Sequence, residues 1–187
     1  MVEAHAVPGP ARDRILEAAE RVVAEVGAAR LTLDVVAQAA GVSKGGLLYH
    51  FPSKESLLGA LAQRYVQNKE QCIEAAKGGF SEQDHSRDLK ACIVGILGSD
   101  PRSKAMGAAL LATAANDLTL LEVIRERLVA YNNELAGSGA DFARAAIVTL
   151  AIDGLMMRES LRISPFTEAE RAQVVRELMK IADESYR

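Results

Sequence analysis

Between Thr32 and Leu58 start and stop signals follow one another at intervals that leave room only for short helices joined by tight turns. Thr32 is a good N-cap, and Leu33, Val36, Ala37 and Ala40 then give the i, i+3, i+4, i+7 stripe of an inward-facing helix. Gly41 supplies the positive φ that a sharp turn needs. Ser43 can cap a second helix over about Lys44–His50, on which Leu47 and the following Phe51, four apart, face inward. Pro52 stops that helix and Ser53 caps the next. Two short helices around a Gly turn form the helix-turn-helix pattern, which serves mainly to place its second helix in the major groove of DNA.

The rest of the chain also reads as all-α. Aromatic residues make up 4% of the 187 residues and Trp is absent, while Ala and Leu are abundant and long stretches lack Gly and Pro. Residues 1–10 are expected to form a flexible arm. A first helix is predicted over about Ala11–Val26, with Ile15, Ala19, Val22 and Val26 at helical spacing, Gly27 beyond its end, and Asp13 and Glu17 near its start. A long fourth helix, about Lys54–Lys77, carries Leu57, Leu58, Leu61 and Tyr65 inward and stops at Gly78-Gly79. Further helices are predicted over about Ser86–Leu97, Pro101–Ala115, Leu118–Leu135 and Ala140–Leu161, with Thr167–Glu184 the ninth. Thr167 and Glu170 stand at capping-box spacing. The expected organisation is an arm (1–10), a helix-turn-helix domain (11–53) and a larger helical domain (54–187), joined without a linker through helix 54–77.

Charge and composition exclude several functions. The net charge is −3, and residues 12–64 hold seven Lys/Arg against six Asp/Glu, so DNA contact must come from a few placed cations and helix N-termini. Cys72 and Cys92 lack CxxC spacing and the three histidines are scattered. No metal, cofactor or disulfide is expected, and the thiols should be buried or half-buried in a reduced cytosol. The N-terminus lacks a secretory pattern and no stretch of 18 uncharged apolar residues occurs, so a cytoplasmic protein without membrane contact is expected. No nucleophile–base pair or phosphate loop marks an enzyme.

The segment Arg12–Tyr65 resembles the TetR family of bacterial transcription regulators. The residues that carry the resemblance are Ile15-Leu16-Glu17-Ala18-Ala19, Gly27, Thr32, Ala40-Gly41-Val42-Ser43-Lys44-Gly45, Leu47, Tyr49-His50-Phe51 and Ser53-Lys54-Glu55-Ser56-Leu57-Leu58. Asp153-Gly154-Leu155 also looks like a phrase common in that family. The resemblance implies a homodimer that binds a palindromic operator in double-stranded DNA. It also implies a C-terminal domain that takes a small-molecule effector, whose binding releases a repressor from DNA. An activator, or a regulator without a ligand, is the alternative within this class. Outside it, a helical scaffold or an enzyme that does not bind DNA remains open. One departure stands out: the family usually places an aromatic residue, often Tyr, where this chain has Leu48.

On this reading the DNA-contacting residues are Thr32, Ser43, Lys44, Gly45, Gly46, Leu48, Tyr49, His50 and Lys54. Ser43, Lys44 and the free N–H groups of the short helix can meet phosphate or base edges. Gly45 and Gly46 each cost about 1 kcal/mol in a helix relative to Ala, and they either admit the backbone close to DNA or are merely tolerated in a first turn. Tyr49 faces outward if Leu47 and Phe51 face inward, and either Tyr49 takes over the aromatic contact or Leu48 touches a thymine methyl. His50 either donates to phosphate or packs at the helix end. The family resemblance places Thr32 and Lys54 against flanking phosphates; the alternative is capping and a solvated charge.

Helix 140–161 is apolar on almost every side and is expected to be buried all round, with Asp153 and Arg158 as charges in need of partners. With the stripe Val174, Val175, Leu178 and Ala182 of the last helix, it would form a four-helix bundle between two subunits, the eighth and ninth predicted helices being the dimer contacts. Met106, Thr113, Asn116, Tyr131, Phe142, Asp153, Met156 and Met157 are the candidate lining of a largely apolar effector pocket.

Overall fold

The computed structural model describes residues 10–27, 30–114, 122, 125–127, 129–131, 133–134 and 141–183, the side chains of 111–114 excepted. Among these there is no strand. The helices are α1 (Ala11–Val26), α2 (Leu33–Ala40), α3 (Lys44–His50), α4 (Lys54–Lys77), α5 (Arg87–Leu97), α6 (Pro101–Ala114), α7 (Phe142–Ser160) and α8 (Glu168–Ala182). The described residues between 122 and 134 are helical, as expected, and the remainder of that predicted helix lies outside the described residues. No described helix is long and apolar enough to cross a membrane.

Local chemistry sets these boundaries. Thr32 Oγ1 accepts from Val35 N–H at 3.2 Å and Ser43 Oγ from Gly46 N–H at 3.0 Å. Ser53 and Ser56 cap α4 reciprocally, each N–H donating to the other's hydroxyl at 3.1 Å. Thr167 and Glu170 form the expected capping box at α8. The turn between α2 and α3 is a Schellman motif: Gly41 has φ +64°, its N–H donates to Gln38 O, and Val42 N–H reaches Ala37 O at 3.0 Å. These bonds satisfy carbonyls left open at the end of α2, and a side chain at 41 would be strained in that conformation.

Two cores follow. The first joins Ile15, Leu16, Ala19 and Val22 of α1 to Val36, Leu47, Phe51, Leu57 and Leu61, and it takes Met106, Ala109 and Leu110 from α6. Val26, placed on the inner stripe by spacing, is exposed because it is the last residue of α1 and lies past that core. The second core joins Ile73, Leu89, Cys92 and Ile93 to Val148, Ile152, Leu155, Met156, Leu178 and Ala182. The two thiols separate: Cys92 is buried, with its thiol pushed up to about 11 by burial, whereas Cys72 is exposed, contrary to expectation.

Ion pairs tie the elements together. Arg64 of α4 reaches Asp13, Glu17 and Glu20 along α1, with Glu20 at 3.3 Å. Glu159 of α7 accepts from Lys104 of α6 at 2.7 Å and from Arg171 of α8 at 2.5 Å, and Arg171 also donates to Leu97 O at 3.0 Å. Burial raises the Glu159 carboxyl, but the hydrogen bonds from Arg171 and Lys104 outweigh it and hold it below the usual carboxylate range. A carboxyl depressed on folding contributes stability above its unfolded pKa, and that contribution is lost as pH falls through the folded value. Glu159→Gln is therefore expected to lower stability by about 2 kcal/mol at neutral pH. The gap from wild type should shrink below about pH 4, which urea melts across pH can check.

Helix α7 corrects one expectation. Within the single chain it is not buried all round: Ala145, Val148, Ile152, Leu155 and Met156 face the core, while Phe142 (70%), Ile147 (56%) and Leu150 (70%) are exposed, as is Met157. Asp153 and Arg158 are exposed too, so neither is a charge locked in a core. The helix is amphipathic only in the sense that a single chain covers one apolar face and leaves the other open.

Candidate DNA-reading helix and ligand cavity

Capping and burial together fix the outward face of α3. Leu47 is fully buried and Phe51 nearly so, with the Arg12 guanidinium 5.4 Å above the Phe51 ring. This rotation turns Lys44, Gly45, Leu48 and Tyr49 to solvent, and Tyr49 is 85% exposed. An aromatic ring left so open on a packed head has no folding role, and it stands edge-on to half-buried His50 at 5.1 Å. Thr32 and Ser43 are exposed, but their hydroxyls are engaged as caps; Lys54 is half-buried at the start of α4. A Cβ on Gly45 would meet nothing within 4 Å among the described residues, whereas one on Gly46 would stand 3.2 Å from the capping Ser43 hydroxyl. All nine sequence-predicted DNA residues thus lie on or beside one short helix and the starts of its neighbours.

One partner was not anticipated. Lys44 Nζ pairs with Asp34 of α2 at 2.9 Å, both side chains well exposed. Ten residues separate them, and only the angle between α2 and α3 brings them together. An exposed pair of this kind contributes about 0–1 kcal/mol, so it orients Lys44 without locking it. Asp34→Asn is expected to tighten DNA binding about threefold to tenfold by removing an anion from the phosphate-facing surface. Fluorescence anisotropy on a duplex at two salt concentrations measures this; weaker binding would show that Asp34 holds Lys44 in its working position.

The second feature is a cavity of about 350 Å³ between α4, α5, α6, α7 and residues 127 and 131. Tyr65, Lys69 and Ile73 enter it from α4 at i, i+4, i+8 spacing, with Ile96, Leu110 and Met156 as apolar walls. Burial, with the Asp153 carboxylate adding to it, pushes the Tyr65 hydroxyl up to about 12, so it remains a donor. Arg127 bonds Glu70 and Glu134 along one side, where a shallower polar groove shares Glu70, Ile73, Arg127 and Tyr131. The Tyr131 hydroxyl is buried beside the Cys92 thiol.

Of the sequence-predicted lining, Tyr131, Asp153, Met156 and Met157 meet at this cavity. Met106 does not: it is buried in the first core, because α6 lies across α1. Phe142, the first residue of α7, points to solvent away from the cavity. The Thr113 side chain and Asn116 lie outside the described residues. Tyr65, Lys69, Glu70 and Arg127 were missed. The available signal was Lys69 itself, a charge standing in the inward stripe between Tyr65 and Ile73. Among the described residues no group of three or more His, Cys, Asp or Glu could hold a metal ion.

Comparison with known proteins identifies both halves of the chain. Residues 15–61 match the model of the bacterial regulatory proteins, tetR family. Residues 87–183, more than half of the chain, match the model of the tetracyclin repressor-like, C-terminal domain. The HTH-type transcriptional regulator BetI of Serratia proteamaculans is 27% identical over 169 residues, covering 85% of each chain. The HTH-type transcriptional regulator TtgR of Pseudomonas putida is 34% identical over 86 residues, 46% of this chain and 39% of that protein. Among solved structures, a transcriptional regulator from Rhodococcus sp. superposes with a TM-score of 0.78 at 22% identity, covering 92% of this chain and 96% of the other. The multidrug binding protein EbrR, complexed with ethidium, gives 0.69 at 25% identity, with 92% and 98% covered. The chain belongs to the TetR family: it is a transcription regulator with an N-terminal DNA-binding helix-turn-helix and a C-terminal ligand-binding domain.

Proposed function

We propose that the protein works as a homodimeric repressor that leaves a palindromic operator when an effector fills the cavity. Residues 11–53 act as the reading head and residues 54–187 as the effector and dimerisation domain. One observation carries this reading: α4 runs unbroken from the Ser53 cap, directly behind α3, to the cavity wall at Tyr65, Lys69 and Ile73. Arg64, one residue before Tyr65, grips α1 of the head. A ligand that shifts the middle of α4 therefore moves the head as a unit.

Dimerisation is supported by the open face of α7. Ile147, Leu150, Gly154, Met157 and Leu161 recur at alternating three- and four-residue steps, the spacing of a helix–helix seam. A Cβ on Gly154 would meet nothing within 4 Å among the described residues, which leaves room for a second helix to approach. Lys44, Leu48 and Tyr49 of each subunit then read one half-site, with most of the affinity coming from phosphates. The test is a mobility shift on the DNA upstream of the protein's own gene. Binding should be specific over competitor DNA and fall by at least about tenfold between 50 and 200 mM salt. Binding that is equal on unrelated DNA would refute the regulator's assigned operator.

A further inference from the structure

The cavity wall contains a cation, Lys69, without an ion-pair partner among the described residues. Lys69 is half-buried, and among the described residues no carboxylate lies within salt-bridge distance of its Nζ. Its direct neighbours are weak substitutes: the Ser99 hydroxyl, the Met156 sulfur at 3.6 Å and the face of the Tyr65 ring at 5.4 Å, while Asp100 acts on it only from beyond salt-bridge distance and is opposed by Lys104. Other charges of the lining differ in kind. Glu70 is paired with Arg127, which also holds Glu134 on the side of the neighbouring groove. Asp153 is exposed at the edge of the cavity, where water solvates a carboxylate, whereas Lys69 is half-buried beside apolar walls.

The geometry points to a small amphipathic organic acid as the effector class, its anionic group paired with Lys69 and its apolar body against Ile73, Ile96, Leu110 and Met156. This rests on the cavity being the effector site and adds the charge of what enters it. A ligand carboxylate would give Lys69 the ion pair it lacks, in a setting where a charge-assisted hydrogen bond is strong. Burial lowers the Lys69 ammonium below its usual range, which an incoming anion would reverse.

Two probes with the same tail and opposite heads test this: decanoate and decyltrimethylammonium, titrated calorimetrically into the full-length protein. The wild type is expected to bind decanoate at least about tenfold more tightly, one such step being 1.4 kcal/mol. Lys69→Met should lose that preference while binding the cationic probe no worse, and Lys69→Arg should keep it. Equal binding of the two probes by the wild type, a preference for the cation, or an intact preference in Lys69→Met would overturn the inference. No DNA is present in this titration, so its failure is distinct from failure of the repressor reading. That reading falls instead if the protein shows no operator binding, whatever the cavity prefers.

Discussion

Gly95→Ala is expected to destabilise the protein by about 2 kcal/mol, a net loss even after the ~1 kcal/mol that Ala gains over Gly in a helix. Gly95 lies in α5 where that helix crosses α4, and a Cβ there would stand 2.7 Å from Cys72 O and from Ile73 N. Both atoms are backbone, so no side chain can rotate away and the two helices must part. Each 1 kcal/mol shifts the midpoint by about 2–4 °C in a chain of this size, so a fall of about 4–8 °C is expected. Separation of α4 from α5 would also pull Ile73 from Ile96 and open the cavity between them. Thermal and urea melts measure the effect. A variant as stable as the wild type would mean that α4 and α5 are not in the described contact.

Leu150→Glu is expected to convert the proposed dimer to a monomer and to lower operator affinity by at least about a hundredfold. Leu150 is 70% exposed on α7, so a charge there costs the single chain little. At the proposed seam it would desolvate a carboxylate against its own copy across a two-fold axis, a like-charge clash without a partner. A lone head then reads one half-site and loses the second set of phosphate contacts. Sedimentation velocity should give a monomer with unchanged helical circular dichroism. A dimer of undiminished stability would place the interface elsewhere.

The helices were legible because their signals are local. Thr32, Ser43, Ser53 and Thr167 each cap the helix that their position announces, and Gly41 adopts the left-handed conformation its place in the turn demands. The outward face of α3 was legible for the same reason, since Leu47 and Phe51 fix its rotation. What escaped the sequence depends on how helices cross. Met106 and Met156 are alike in type and helical setting, yet α6 lies over α1 and carries Met106 into the first core while Met156 reaches the cavity. The Lys44–Asp34 and Arg127–Glu70 pairs likewise join residues that no periodicity relates. The open face of α7 shows a further limit: spacing marks it as apolar, and only packing tells which side the chain itself covers.

DNA reading is assigned to the exposed face of α3. Its direct test is anisotropy on the wild-type operator at two salt concentrations, comparing wild type with Lys44→Ala and Tyr49→Ala. Both variants should fold as the wild type does, because neither side chain is buried. Each should weaken binding by about tenfold or more, and Lys44→Ala should reduce the salt slope by about one. Unchanged affinity and salt slope in both variants would contradict the assignment of Lys44 and Tyr49 to the DNA-reading surface.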